Sequence, residues 1–319
     1  MDNTANSATD RLAWAWAKQS VWSQTANKLK RPLFLARTTS LWLTIAAAVL
    51  ATVAVQIASL SDLAARILAA VAALAMGLVA LLQKATNHDR VQDWTRARSV
   101  SEALKAEVFT FLAGVAPYRG ADRTDRFLQN MDQVLAFADD LSPSTIGVQP
   151  KKRDLPAVRD VPTYVSDRVQ RQIDTYYRPQ SAAMKRHADL CRFVERALAV
   201  LALLLSFATT ITGWQGFTAW SPVITTVVAA VAAHAAVHRF DALALEYART
   251  YEQLERLMLK RTDARTDTMN EKADDDFVAA AEGVISIQNE AWMSRNLSAA
   301  GSEDPGDRPA ANGAPPGGA

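Results

Sequence analysis

Two long stretches without charge constrain this chain more than any other feature of its sequence. No Asp, Glu, Lys or Arg occurs in the 24 positions from Thr38 to Ser61, or in the 42 positions from Ala197 to His238. Charged residues make up 21% of the 319-residue chain, so evenly mixed charge would not leave such gaps. A helix that is apolar on every face lies either inside a large protein or in lipid.

The first stretch contains one candidate membrane span, Leu41–Leu60, and a second candidate, Ile67–Gln83, follows after the segment SDLAAR. The second stretch divides into the candidates Ala197–Thr212 and Pro222–His238. Spans of about 16 to 20 residues are about 24 to 30 Å long, the short end of a bilayer's hydrocarbon core. A soluble protein with two buried hairpins is the alternative, but it would need amphipathic helices around every apolar face. We therefore predict an all-α integral membrane protein with two transmembrane helical hairpins (four spans) extended into cytoplasmic helical bundles.

The distribution of Lys and Arg predicts the orientation of the spans, because cations near span ends stay in the cytoplasm. The two hairpin tips carry only Arg66. We expect both termini and the middle segment in the cytoplasm, and the protein in the inner (plasma) membrane. Residues Met1 to Arg31 have no apolar core, so no signal peptide is expected there. The cations on the long-segment side are Lys28, Lys30, Arg31, Arg37, Lys84, Arg90, Arg96, Arg98, Lys185, Arg186, Arg192, Arg196, Arg239 and Arg249.

A shift of 153 positions superposes the two hairpins and the segments that follow them, which indicates duplication of a two-span unit. Each unit then consists of a lead-in helix, a hairpin and a long returning helix that continues the second span. We predict two-span helical domains at 11–140 and 163–297, a proline-containing linker at 141–162 and a disordered tail at 298–319. Equivalent residues in this register are Asp93 and Glu246, Trp94 and Tyr247, Arg96 and Arg249, Glu102 and Glu255, and Leu104 and Leu257.

Several stretches of the second unit resemble the SLATT family, bacterial two-span domains found beside nucleotide-signalling and nucleotide-sensing genes in conflict systems. They are LPAVRDVPTYVSDRVQRQIDTYYRPQSAAMKRH, then the apolar hairpin, then ALEYARTYEQLE and FVAAAEGVISIQNEAW. The first unit, with QSVWSQTANKLKRPLFLARTTSLWL and DWTRARSVSEALKAE, is similar to a second SLATT subtype. The resemblance covers about Arg11 to Arg295 and implies a membrane effector that forms pores or otherwise perturbs the inner membrane when a partner senses a signal.

The candidate site residues are structural, because the recurring polar and aromatic positions belong to no catalytic signature. The acid and arginine pairs after each hairpin either pair within one helix or join neighbouring helices. In the second lead-in segment, Arg168, Gln172 and Tyr176 stand four apart on one helical face. The interhelix candidates are Asp93, Trp94, Arg96, Glu102, Arg168, Gln172, Tyr176, Tyr177, Glu246, Tyr247, Arg249, Glu255, Glu282 and Trp292.

Polar positions within the spans allow two interpretations. Thr209 and Thr226 place hydroxyls in the spans, where they hydrogen-bond between helices or face water in an oligomer. His234, His238 and Asp241 have the spacing of one helical face, which admits a metal or proton site, although an interhelix hydrogen bond for His234 is the simpler reading. We expect no metal and no cofactor. The single cysteine, Cys191, forms no internal disulfide and is expected to be an inert thiol.

The sequence contains no Walker loop, no G-x-G-x-x-G, no G-x-S-x-G and no H-E-x-x-H motif, so we do not expect an enzyme. With 35 Lys plus Arg against 33 Asp plus Glu, no nucleic-acid partner is predicted. The expected partners are the lipid bilayer, further copies of the chain and a nucleotide-sensing or signalling protein. The function predicted first is an oligomeric membrane-perturbing effector; a non-conducting membrane scaffold that recruits cytoplasmic partners and a channel for a specific ion are the alternatives.

Overall fold

The computed structural model describes residues 2–84, 88–213, 216–264 and 271–301, with side chains omitted for residues 2–8, 88, 218, 262–264 and 287–301. These ranges contain helices and turns but no strand, which confirms the predicted all-α fold. The helices are α1 (Asp2–Ile57), α2 (Asp62–Lys84), α3 (His88–Ala113), α4 (Arg123–Ala136), α5 (Val161–Tyr164), α6 (Arg178–Thr212), α7 (Ser221–His238), α8 (Phe240–Ala264) and α9 (Glu271–Gly301).

Four helical stretches are long and apolar enough to cross a membrane, as the sequence predicts: Thr9–Ile57, Asp62–Lys84, Val161–Thr212 and Ser221–Arg261. In the first unit the lead-in helix and the first span form one continuous helix, α1, with Pro32 inside it. In the second unit two π-helical stretches, Val165–Gln170 and Ile173–Tyr177, connect α5 to α6. Large apolar side chains on these helices are exposed, as is expected of helices in lipid.

The predicted continuation of the fourth span into α8 as one helix is interrupted at a single residue. Arg239 has a left-handed backbone conformation (φ 50°) between α7 and α8. The Arg239 N–H still donates to the Ala235 carbonyl at 2.8 Å, and the Leu243 N–H donates to the Arg239 carbonyl at 3.0 Å. The junction is therefore a bend at one left-handed residue, with a hydrogen bond on each side of it. The corresponding junction of the first unit, between Lys84 and His88, lies outside the described residues.

The four spans form an open row rather than a closed bundle. Within the described residues, α1 packs on α2 and α7, and α6 packs on α7, while α2 and α6 form no packed interface with each other. The order across the membrane is therefore α2, α1, α7, α6. The two units meet in the middle of the row, where the Phe34 and His238 rings lie 5.8 Å apart.

The extra-membrane helices form one shared core. Helix α3 packs on α1, α4 and α9, and α9 also packs on α8, so helices of both units contribute to this core. The segment predicted as a linker follows α1: the Trp16 Nε1–H donates to the Asp154 carbonyl at 2.9 Å, and the Arg153 guanidinium lies 3.6 Å from the centre of the Trp16 ring. The tail from residue 302 lies outside the described residues.

Candidate functional site

The most deeply buried charge in the described chain belongs to Arg168, in the first π-helical stretch. Its side chain is 1% exposed, and its guanidinium donates Nε–H and Nη2–H to the two carboxylate oxygens of Glu282 in α9, at 2.9 and 2.8 Å. The Tyr164 hydroxyl donates a further hydrogen bond to Glu282 at 2.9 Å. Burial opposes the charge of Arg168, but Glu282 raises the pKa of Arg168, so the guanidinium stays charged in the core.

Aromatic rings from both units surround this ion pair. The Arg168 guanidinium lies 4.7 Å from the centre of the Phe109 ring of α3, within the range of a cation–π contact. Phe109 packs edge-on against Tyr164, which packs edge-on against Phe277 of α9, each with a centroid distance of 6.5 Å. Burial and the nearby Glu282 carboxylate raise the pKa of Tyr164, so it acts as a neutral donor. The arrangement fixes α3, α5 and α9 against one another.

A second charged group from α3 lies beside this pair. Glu102 has a side chain that is 10% exposed and forms ion pairs with Arg98 at 2.8 Å and Lys105 at 3.8 Å. Burial opposes its ionisation, but Lys105, Arg98 and Arg168 together hold the pKa of Glu102 below its usual value. Burial lowers the pKa of Lys105 to about 8, with Glu102 acting in the opposite direction. We call Glu102, Lys105, Arg168 and Glu282 the inter-unit charge cluster.

A cleft of about 260 Å³ opens beside the inter-unit charge cluster, between α3, α4 and α9. The Glu102 and Glu282 carboxylate side chains line it, and its other walls are mainly apolar. Phe137 stands at this cleft with 65% of its surface exposed. An apolar cleft with a few buried charges and an exposed aromatic ring has the composition of a binding site.

The predicted tyrosine positions come together in the second unit. Tyr176, Tyr177 and Tyr247 form a triangle of rings with centroid distances of 5.2, 5.8 and 6.3 Å. The Tyr177 hydroxyl also forms a hydrogen bond with the side chain of Gln172. Burial raises the pKa of both Tyr177 and Tyr247, so these hydroxyls stay protonated. The triangle holds the second π-helical stretch against α8.

The first of the repeated acid and arginine pairs joins neighbouring elements through a partner that the repeat does not predict. Arg96 of α3 donates Nη1–H and Nη2–H to the Asp140 carboxylate at 2.7 and 2.5 Å, and Nη2–H also to the Phe137 carbonyl at 3.0 Å. Asp93 contributes only a weaker electrostatic attraction to Arg96. Trp94 is partly buried against the core, with the Lys30 ammonium 5.6 Å from its ring centre.

The second repeated pair behaves differently. Arg249 is exposed on α8 and forms no ion pair with a described residue, so its interhelix role stays a prediction. Glu246 is partly buried, and its carbonyl accepts a hydrogen bond from the Thr250 hydroxyl at 2.9 Å. Glu255 pairs with Arg178 at 2.5 Å and thereby connects α8 to α6. The side chain of Trp292 lies outside the described residues.

The polar side chains within the spans bond inside their own helices. The Thr209 hydroxyl donates to the Leu205 carbonyl at 3.0 Å, and the Thr226 hydroxyl donates to the Pro222 carbonyl at 2.8 Å. The interhelix hydrogen bonds expected from the sequence are therefore absent at these two positions, because the carbonyl four residues earlier is always within reach in a helix. Thr226 also lines a groove of about 760 Å³ between α1 and α2, whose other walls are mostly alanine.

The histidine positions do not converge on a metal-binding geometry. The His234 and His238 rings lie 4.3 Å apart, but Asp241 turns away and accepts two hydrogen bonds from the Arg192 Nη1–H, both at 3.0 Å. Asp241 lies beyond the left-handed Arg239, so the helical face that the spacing predicts is not continuous. No group of three His, Cys, Asp or Glu side chains that could hold a metal ion occurs in the part of the chain that the structure describes.

Sequence reasoning missed several members of the buried site. It did not identify Tyr164, Phe109, Lys105 or Asp140, although Tyr164 stands four residues before Arg168 on the same helical face. That spacing was the one available signal for Tyr164. Lys105 stands three residues after Glu102, so the same kind of spacing was available for it. For Phe109 and Asp140 the sequence contained no comparable signal, because each contacts a residue far away along the chain.

Comparison with protein families identifies the C-terminal half. Residues 164–292 match the family model SLATT_1, described as SMODS and SLOG-associating 2TM effector domain 1. Residues 164–292 form a SLATT domain. Residues 20–126 match a further model, DUF4231, described as a protein of unknown function. No curated protein and no solved structure matches the chain.

The SLATT match, whose family description names a two-transmembrane effector domain, agrees with the four helices that are long and apolar enough to cross a membrane. Arg168, Tyr176, Tyr177 and Glu282 lie inside the SLATT domain, and Glu102 lies inside the DUF4231 match. The inter-unit charge cluster therefore joins residues from the two matched regions.

Proposed function

We propose that this protein is an oligomeric effector of the inner membrane, with both termini in the cytoplasm, and that it permeabilises the bilayer when its cytoplasmic helices rearrange. The open row of four spans is the observation that carries this proposal. A single row encloses no conduit, whereas several rows arranged side by side can surround one. The exposed outer helices α2 and α6 leave both edges of the row available for such an assembly.

The position of the inter-unit charge cluster supports a route by which a signal from a partner reaches the third and fourth spans. Glu282 lies on α9, which contacts α8, and α8 follows the fourth span after the bend at Arg239. Arg168 lies in the helical segment that leads into the third span. A partner or ligand that occupies the cleft beside Glu102 and Glu282 would change the position of both segments. We expect a signalling or nucleotide-sensing partner to act at this cleft.

The proposed function is tested by reconstituting the purified full chain into liposomes and measuring ion conductance and dye release. The oligomer mass is determined on the same sample. We expect dye release by a defined oligomer. The variant Thr226→Leu fills the groove between α1 and α2, and we expect it to change the dye release. Thr250→Val, in α8 outside the spans, is the matched control. Intact liposomes at every oligomer size, with or without added partner, would contradict the proposal.

A non-conducting scaffold is the second candidate function, and one observation favours it. Phe137, Ile146 and Leu259 expose 65%, 76% and 67% of their surfaces outside the spans. Of these, Phe137 lines the cleft, and an exposed apolar side chain at a cleft is typical of surfaces that recruit a partner protein. Growth that is unharmed by high expression, together with intact liposomes, would favour this function over a pore.

A further inference from the structure

The two outer helices of the row carry matching stripes of exposed apolar side chains. On α2, Ile67, Val71, Leu74 and Leu78 are 44 to 74% exposed; on α6, Val200, Leu204, Phe207 and Ile211 are 54 to 67% exposed. Each stripe has successive spacings of four, three and four residues, the pattern with which one helix packs along another. No residue in the membrane-spanning part of α6 is buried within the described chain.

The direction of the two helices determines how they would meet in neighbouring copies. Helix α2 leads back towards the side from which α6 starts, so copies with one membrane orientation present α2 and α6 to each other antiparallel. When Ile211 is placed opposite Ile67, Leu204 lies opposite Leu74 of the next copy. The remaining stripe residues fall opposite each other in the same register, with Phe207 against Val71 and Val200 against Leu78.

The same register brings two opposite charges to one level at the cytoplasmic ends. Lys84 is the last residue of α2 and is exposed, and Glu195 on α6 is partly buried. Neither forms an ion pair with a described residue of its own chain. In the register set by the apolar stripes, Glu195 lies within one residue of the level of Lys84, about 1.5 Å along the helix axis.

These charges also distinguish between the ways in which two edges can meet. A contact of α2 with α2 would place two Lys84 side chains at the same level, and a contact of α6 with α6 would do the same with Glu195. Like charges near a low-dielectric boundary repel, whereas the unlike pair attracts. The contact between α2 and α6 is therefore the one that the charge pattern favours.

We propose that α6 of one copy docks antiparallel against α2 of the next copy, through the two apolar stripes and a cytoplasmic ion pair between Glu195 and Lys84. The contact joins two different surfaces, so it leaves a free α2 edge and a free α6 edge at the ends of every open assembly. Repetition therefore builds a ring or an open array of rows rather than a two-fold dimer. The proposal rests on the proposed oligomeric function and names the interface that it requires.

Cysteine cross-linking of the full chain in native membranes tests the interface. The variant Leu74→Cys with Leu204→Cys is made in a Cys191→Ser background, and copper phenanthroline is the oxidant. We expect a ladder of dimers, trimers and larger species from the double variant and only monomer from each single variant. Within one chain the two positions lie on opposite edges of the row, too far apart for a disulfide. Efficient dimers from either single variant, or no cross-link from the double variant, would overturn the proposal.

A charge reversal gives an independent measurement. Glu195→Lys should reduce the cross-linked product about fivefold, as expected of one partly exposed ion pair, and added Lys84→Glu should restore it. Glu252→Lys on α8, far from either stripe, is the matched control. Failure of the double reversal to restore the ladder contradicts the ion pair. A dye-releasing oligomer without a ladder overturns this interface and leaves the proposed function standing, whereas a monomer in the membrane overturns both.

Discussion

The guanidinium of Arg168 lies 4.7 Å from the centre of the Phe109 ring, and this contact joins the SLATT domain to the preceding half of the chain. Phe109 is 6% exposed and Arg168 is 2% exposed, so the contact is shielded from water. A cation–π contact is stronger when both groups are desolvated. The two halves therefore share one charged core outside the spans, and a change in one half reaches the other through these side chains.

Loss of the Arg168 side chain should destabilise the protein strongly. Arg168→Met leaves the Glu282 carboxylate buried without its ion-pair partner, which costs about 3 to 5 kcal/mol in unfolding free energy. We expect a clear fall in the melting temperature of the detergent-solubilised protein. Arg256→Met is the matched control, because Arg256 pairs with Glu252 on the exposed face of α8. A fall no larger than that of the control would show that the buried pair contributes little.

The stability should depend on pH through Lys105. Burial lowers the pKa of Lys105 from an ordinary 10.5 to about 8, so the unfolded chain binds more protons than the folded chain between these values. The contribution of Lys105 to the free energy of unfolding therefore rises with pH in that window. Wild type should gain stability relative to Lys105→Met as the pH is raised from 7 to 9, measured as the difference in melting temperature. A difference that stays constant with pH contradicts the prediction, and the exposed Lys260→Met is the control.

The proposed orientation predicts which residues can be labelled from outside the cell. Ser61 lies at the first hairpin tip and is exposed, and Ile146 lies after α4 and is 76% exposed. In a Cys191→Ser background, a membrane-impermeant maleimide should label Ser61→Cys on intact spheroplasts and Ile146→Cys only after lysis. The reverse pattern would place both termini outside, and labelling of both on intact cells would contradict the hairpin topology.

The span threonines should contribute little to stability. The Thr209 and Thr226 hydroxyls donate to carbonyls of their own helices, so their removal leaves no other helix without a partner. Thr209→Val should change the unfolding free energy by about 0.5 kcal/mol or less. Ala72→Leu is the contrasting variant, because Ala72 is 6% exposed on α2 and added volume there costs about 1 to 3 kcal/mol. A large loss from Thr209→Val would indicate that its hydroxyl bonds to another helix after all.

The sequence predicted the helices because each span is uniformly apolar for most of a bilayer thickness, which few soluble structures allow. It also placed Arg168 and Tyr176 on a helical face ready for packing, because their spacing is a local property. The partner of Arg168 was not predictable, since Glu282 lies 114 residues away and the pairing depends on how two long helices pack. Local spacing failed at Asp241 because one left-handed residue, Arg239, interrupts the helix.

The two units differ in how they can transmit movement to their spans, because α1 is one continuous helix whereas the second unit bends at Arg239. With 56 residues at about 1.5 Å each, α1 is a single helix about 84 Å long that connects the shared core to the first span, with one interior proline, Pro32. The second unit contains two places where such a movement can be absorbed or redirected, the π-helical stretches before α6 and the bend before α8. A movement of the shared core would therefore reach the first hairpin through one continuous helix and the second hairpin through two irregular junctions.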